Sequence, residues 1–266
     1  MDQTPTKATS GPSFRARLIA FCGKQWPRYL FLGAIGFIIR LPAIQGQLIW
    51  DDVHLARDNP FIKSPLLILE SFRHYLFLDS YSSHYRPVQN ISYFLDYLFW
   101  NMNEFGFHLT NVLLHISSGI VLYFLLRQLI LSFRFRWEPQ SVRQRALERI
   151  PWISHAAFLI ALLWTVHPVH SAAIDYISGR ADSLAFLFAS AGWLLFLRAN
   201  RAANRIGRVL IYILAAGLGL LALCSREIAI IWVVIFVGTV DPVNGDNDGI
   251  RYRFKIEKGF LFGGMD

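Results

Sequence analysis

FHLTNVLLHISSGIVLYFLLRQLILS, residues 107–132, decides the fold class. A helix crosses the roughly 30 Å hydrocarbon core of a bilayer with about 20 mostly apolar residues, and this run is long enough. Working outward, further apolar runs occupy residues 26–43, 153–166, 183–197, 209–224 and 228–240. The sequence therefore predicts an all-α polytopic membrane helix bundle of about six spans. The composition agrees. Hydrophobic residues make up 54% of the 266-residue chain and charged ones only 17%, where a soluble domain carries about 25%.

The charge pattern orients the bundle. The net charge is +8, and the basic residues cluster in short segments between apolar runs. Arg134, Arg136, Arg143, Arg145 and Arg149 follow the second run. Arg198, Arg201, Arg205 and Arg208 follow the fourth. Lysine and arginine mark cytoplasmic loops, so both termini are expected there. This basicity reads as topology, and no nucleic-acid-binding signature accompanies it. The expected organisation is a cytoplasmic tail at 1–25, a transmembrane module at 26–240 with an external loop at 44–106, and a cytoplasmic segment at 241–266. Within the loop, residues 66–77 and 91–100 have the apolar faces of helices that lie along a membrane. Two cysteines, Cys22 and Cys224, give no disulfide framework.

Polar chemistry gathers on the non-cytoplasmic side. Trp50-Asp51-Asp52 follows the first span, and a carboxylate in a shielded cleft can take a proton from a hydroxyl. His108, Asn111 and His115 fall on one face of the second span. Polar groups at that depth face protein or a wet cavity, and interhelical hydrogen bonding serves them equally well. His167-Pro168-Val169-His170 closes the third span. Two histidines without a third ligand fall short of a metal site, so neither a metal nor a cofactor is expected. Asp175, Arg180 and Asp182 follow. Arg180 suits either an ion pair with Asp182 or a phosphate. Arg226-Glu227 interrupts an apolar stretch, where charge implies function or a specific partner. Asn90-Ile91-Ser92 matches an N-glycosylation acceptor pattern.

Six segments in order carry a resemblance: Trp-Asp-Asp at 50–52, Tyr-Arg-Pro at 85–87, Phe-His-Leu-Thr-Asn-Val-Leu-Leu-His at 107–115, His-Pro-Val-His at 167–170, Gly-Arg-Ala-Asp at 179–182 and Leu-Cys-Ser-Arg-Glu at 223–227. Together they resemble the membrane part of the transmembrane and TPR repeat-containing O-mannosyltransferases, within the GT-C class of membrane glycosyltransferases. The resemblance implies transfer of a sugar, such as mannose, from a polyprenyl-phosphate carrier to a Ser/Thr hydroxyl or other protein or glycan acceptor. It implies a reaction on the non-cytoplasmic face of a bacterial inner membrane or endoplasmic reticulum membrane. It implies a catalytic role for Asp51 or Asp52, and donor-phosphate binding by Arg226, Arg180 or Arg86. His108, Asn111, His115, His167, His170, Asp182 and Glu227 are expected to line the site. In this family Cys-Lys-Glu commonly stands where the chain has Cys224-Ser225-Arg226-Glu227, and TPR repeats follow the membrane part. A non-catalytic membrane partner and a transporter subunit are the competing readings. A transporter would also place charge near the bilayer midplane.

Overall fold

The computed structural model describes residues 25–73, 85–134, 151–199 and 204–239. The N-terminal tail, residues 135–150 of the first basic loop, and segment 241–266 lie outside them. Among the described residues the structure is helical, without strands. The principal helices are α1 (Trp26–Arg40), α2 (Pro87–Trp100), α3 (Glu104–Arg134), α4 (Pro151–Val166), α5 (Arg180–Ala199), α6 (Arg205–Ser225) and α7 (Ile230–Thr239).

Four of these helical stretches are long and apolar enough to cross a membrane: α1 with its extension to Gln45, α3, α5 and α6. The expected third span is interrupted. Pro168 cannot continue α4, and the short helix that follows bends away by 49°. The 16 residues of α4 rise only about 24 Å, so a fifth crossing requires the bent pair to act as one span. The expected sixth span is a shorter apolar helix, Glu227–Val237. The chain divides after Ile230, and the segment beyond it exposes Ile231, Val234 and Val237.

Small residues let the helices approach. A Cβ on Gly119 of α3 would lie 2.3 Å from Thr165 Oγ1 of α4, and one on Gly192 of α5 would lie 2.9 Å from the Ala215 carbonyl of α6. Close backbone packing of this kind takes the place of a hydrophobic driving force between helices in lipid. Leu32, Tyr123, Ala157 and Ala161 fill the contact among α1, α3 and α4. Outside it, α1 exposes Leu30, Phe31 and Ile38, and α6 exposes Ile206, Leu210, Ile213 and Leu214.

Residues 41–73 and 85–103 build a folded lobe. Of its expected surface helices, the second forms as α2. In the described part of the first, residues 66–73, the backbone forms a tight turn at Ile68–Phe72, and residues 74–77 lie outside the described residues. Leu48, Leu55, Ala56, Ile62 and Tyr93 form a core there with Phe107 of α3 and Ile177. Asn90 is buried and accepts a hydrogen bond from Asn59 Nδ2 at 3.2 Å. The glycosylation pattern at 90–92 is therefore inaccessible in the folded chain.

Candidate functional site

The turn before α5 is held by side chains that come from far away in the chain. Residues 175–179 connect a short helix ending at Ile174 to α5, so the buried backbone groups of this turn need other partners. Asp52 supplies two: its carboxylate accepts from the amides of Ile177 at 3.1 Å and Ser178 at 2.7 Å. Asn111 Nδ2 donates to the carbonyls of Ile174 at 3.1 Å and Tyr176 at 2.9 Å. Tyr93 donates to the Ile177 carbonyl and Gln89 to that of Ser178, each at 2.9 Å. Gly179 closes the turn, since a Cβ there would sit 2.3 Å from the Ala172 carbonyl.

Arg180 begins α5 and is fully buried. Its guanidinium lies 2.6 Å from the Asp96 carboxylate, donates at 2.7 Å to both Asn111 Oδ1 and the Phe107 carbonyl, and sits 4.8 Å over the Tyr93 ring. Burial raises the Asp96 carboxyl above the usual carboxylate range, against the opposing pull of Arg180 and the hydroxyl of Thr110. Burial likewise pushes the Tyr93 phenol up. Sequence adjacency suggested Asp182 as the partner of Arg180, and the structure corrects this to Asp96. With its donors engaged inside protein, Arg180 has no face to offer a donor phosphate.

The other two arginines expected to bind the donor phosphate also pair with carboxylates. Arg226 meets Asp182, and Arg86 meets Glu227 through two contacts of 3.1 and 2.9 Å. Glu227 thus holds Arg86 rather than its neighbour Arg226. The Arg226 side chain is 31% exposed and that of Arg86 12%.

The two aspartates of the 50–52 segment differ completely. Asp52 is buried and occupied, while Asp51 is exposed. Trp50, before them, has φ 52°, the left-handed region that costs a non-glycine residue about 1–3 kcal/mol. It stacks on Tyr176 with the rings 13° apart and remains 79% exposed.

The histidines occupy three settings. His108 is buried against Gly46, and neither ring nitrogen has a hydrogen-bond partner among the described residues. His115 Nε2 lies 2.8 Å from the Thr165 carbonyl, and its ring stacks on Trp164 and contacts that of His170. His167 Nδ1 accepts from the Val169 amide and caps the turn at Pro168. Beside them Arg40 donates to Ser171 Oγ at 2.9 Å and to the His167 carbonyl at 3.0 Å, meeting no carboxylate among the described residues. Sequence reasoning gave no site role to Arg40, nor to Asp96, Tyr93 or Gln89. The available signal was their polar stripe at 89, 93 and 96, one face of an otherwise apolar helix. No group of three metal-ligating side chains occurs among the described residues.

An apolar helical bundle, capped at one end by a folded lobe and a ring of buried polar contacts, defines a multi-pass integral membrane protein. The chain is 28% identical over 180 residues to Protein O-mannosyl-transferase F38B6.6 of Caenorhabditis elegans, an alignment covering 66% of this chain and 23% of that protein. It is 27% identical over 184 residues to human Protein O-mannosyl-transferase TMTC4, covering 67% and 24%. It is 32% identical over 163 residues to mouse Protein O-mannosyl-transferase TMTC1, covering 59% and 15%. Over this region the chain is a relative of the TMTC-type protein O-mannosyl-transferases. It spans a quarter or less of the length of these curated relatives. No family model and no solved structure matches.

Proposed function

We propose that this chain is the membrane module of a glycosyltransferase. It moves a sugar, mannose by analogy with its relatives, from a polyprenyl-phosphate carrier to a protein Ser or Thr hydroxyl on the non-cytoplasmic face. The observation that carries the reading is the division of labour at 51–52. Asp52 is clamped to the Ile177 and Ser178 amides, which fixes the backbone that presents the exposed carboxylate of Asp51. A pre-positioned base of this kind is what attack by a hydroxyl needs.

In this mechanism Asp51 takes the proton of the acceptor hydroxyl. The acceptor oxygen forms its bond to the anomeric carbon, and the bond from that carbon to the phosphate oxygen breaks. The polyprenyl phosphate leaves with the electron pair. Arg226 meets the growing charge on it, stabilising the transition state more than the ground state. The exposure of Arg226 and its pairing with a half-open Asp182 favour it over the enclosed Arg180. Arg86, bound to Glu227, orders the same edge. The basic segments facing the cytoplasm would put Asp51 on the opposite side.

The test uses the full-length protein in liposomes with a polyprenyl-phosphate mannose and a Ser/Thr peptide. Asp51→Asn keeps shape and removes basicity, so turnover should fall by about 10²–10⁴-fold with the donor KM little changed. Arg226→Ala should raise the donor KM as well as slow turnover. Full turnover in Asp51→Asn would remove Asp51 from the chemistry.

A further inference from the structure

We infer that the exposed face of Trp50 is a stacking platform for a pyranose ring, which makes Trp50 a sugar-binding residue beside the Asp51 carboxylate. The inference rests on the transferase reading for the source of the sugar, but its geometry stands apart from it. The Trp50 indole lies near-parallel to the Tyr176 ring, with centroids 6.0 Å apart, and the residue is 79% exposed, so most of the indole surface is left to solvent. Its backbone holds a left-handed angle that a glycine would adopt freely. Such an outlier persists where surrounding structure over-determines it, commonly at ligand sites.

The surroundings do so here. Tyr176 is fixed through its own carbonyl by Asn111, and the two residues after it are fixed by Asp52, two positions beyond Trp50. The backbone on either side of the ring pair is thereby held by one clamp. Its sequence neighbour Asp51 and the residue before Tyr176, Asp175, are both exposed carboxylates. This setting suits a ligand with an apolar face and a rim of hydroxyls. One face of a pyranose presents C–H groups of partial positive character to the electron-rich indole face, and its hydroxyls can donate to carboxylates at the rim. The competing role for an exposed tryptophan at a bundle end is an anchor in the lipid headgroups, which the flanking carboxylates oppose.

The experiment labels the full-length protein with 5-fluorotryptophan in lipid nanodiscs, free of glycoside detergent. The Trp50 fluorine resonance is assigned by its loss in Trp50→Phe. Titration with methyl α-mannopyranoside should move that resonance and leave those of the other tryptophans in place. Polyprenyl phosphate without a sugar should not move it, and doxyl-labelled lipid should not broaden it. Trp50→Gly, which relieves the backbone strain, should keep the fold by circular dichroism while raising the mannoside dissociation constant, read on a fluorine label at Tyr176, by about tenfold. A Trp50 resonance indifferent to the mannoside overturns the inference, and broadening by doxyl lipid alone assigns the side chain to the membrane. Mannosyl transfer is measured separately on the unlabelled protein. Transfer with an indifferent Trp50 defeats this inference alone. A mannoside response without transfer leaves it standing and defeats the transferase reading.

Discussion

Replacing Arg180 with Met tests the buried network directly. Methionine fills much of the same volume and removes the charge. The change strands Asp96, whose side chain is 8% exposed, and leaves Asn111 Oδ1 and the Phe107 carbonyl without their 2.7 Å donors. Breaking one side of a buried ion pair costs about 3–5 kcal/mol, and orphaning Asn111 Oδ1 about 1–3 kcal/mol, while the Phe107 carbonyl keeps its bond within α3. Thr110, still donating to Asp96 at 2.7 Å, softens the first cost. A net loss of about 4–6 kcal/mol follows, since neighbouring contacts do not add in full. For a chain of this size that lowers the melting temperature by roughly 10–20 °C. The assay is thermal unfolding in nanodiscs by intrinsic fluorescence, at one fixed scan rate because such unfolding is commonly irreversible. Adding Asp96→Leu removes the stranded carboxylate and should recover roughly half of the drop. An Arg180→Met protein melting within about 2 °C of the parent, or a double variant melting below the single one, refutes the account.

Two further outcomes follow from the same geometry. The Asp96 carboxyl has a pKa raised by burial, so its contribution to stability is present below the ordinary aspartate value of about 3.9 and is lost as pH rises through the raised one. The melting temperature of Asp96→Asn relative to the parent should therefore climb as pH is taken upward from about 4, and a difference that falls with pH would contradict the burial argument. Gly119→Ala drives a methyl into Thr165 Oγ1 and should cost about 1–3 kcal/mol, whereas Gly119→Ala with Thr165→Ala should restore most of it, as read by the same melting assay.

The bundle was readable because long apolar runs have only one economical solution in lipid. Residues 107–132 became the core of α3, and the polar face at 108, 111 and 115 was expected and is buried. Partnerships were less readable. Arg180 and Asp182, and Arg226 and Glu227, invite pairing because they are adjacent or nearly so, yet each charge in these two sets finds a partner elsewhere. Helix direction points neighbouring side chains apart, and the space between helices is filled from other elements. Asp96 escaped notice because its helix reads as an apolar surface piece, and its charge partner, Arg180, lies on another helix far along the chain. The difference between Asp51 and Asp52 had no sequence signal, since it is set by which of them faces the 174–179 turn.

The clasp on that turn also constrains how the protein is made. Asp52 precedes its amide partner Ile177 by 125 residues, and Asn111 precedes Arg180 by 69. At a synthesis rate of about 5–20 residues per second, the first half waits roughly 6–25 s for the former and 3–14 s for the latter. Towards the end of that interval the lobe and α3 have been synthesised, with a carboxylate, an amide and a tyrosine awaiting their partners. The emergence of residues 174–180 is thus the event that commits the nascent chain, and slowing translation just before them lengthens the period in which insertion chaperones and quality control can act on it.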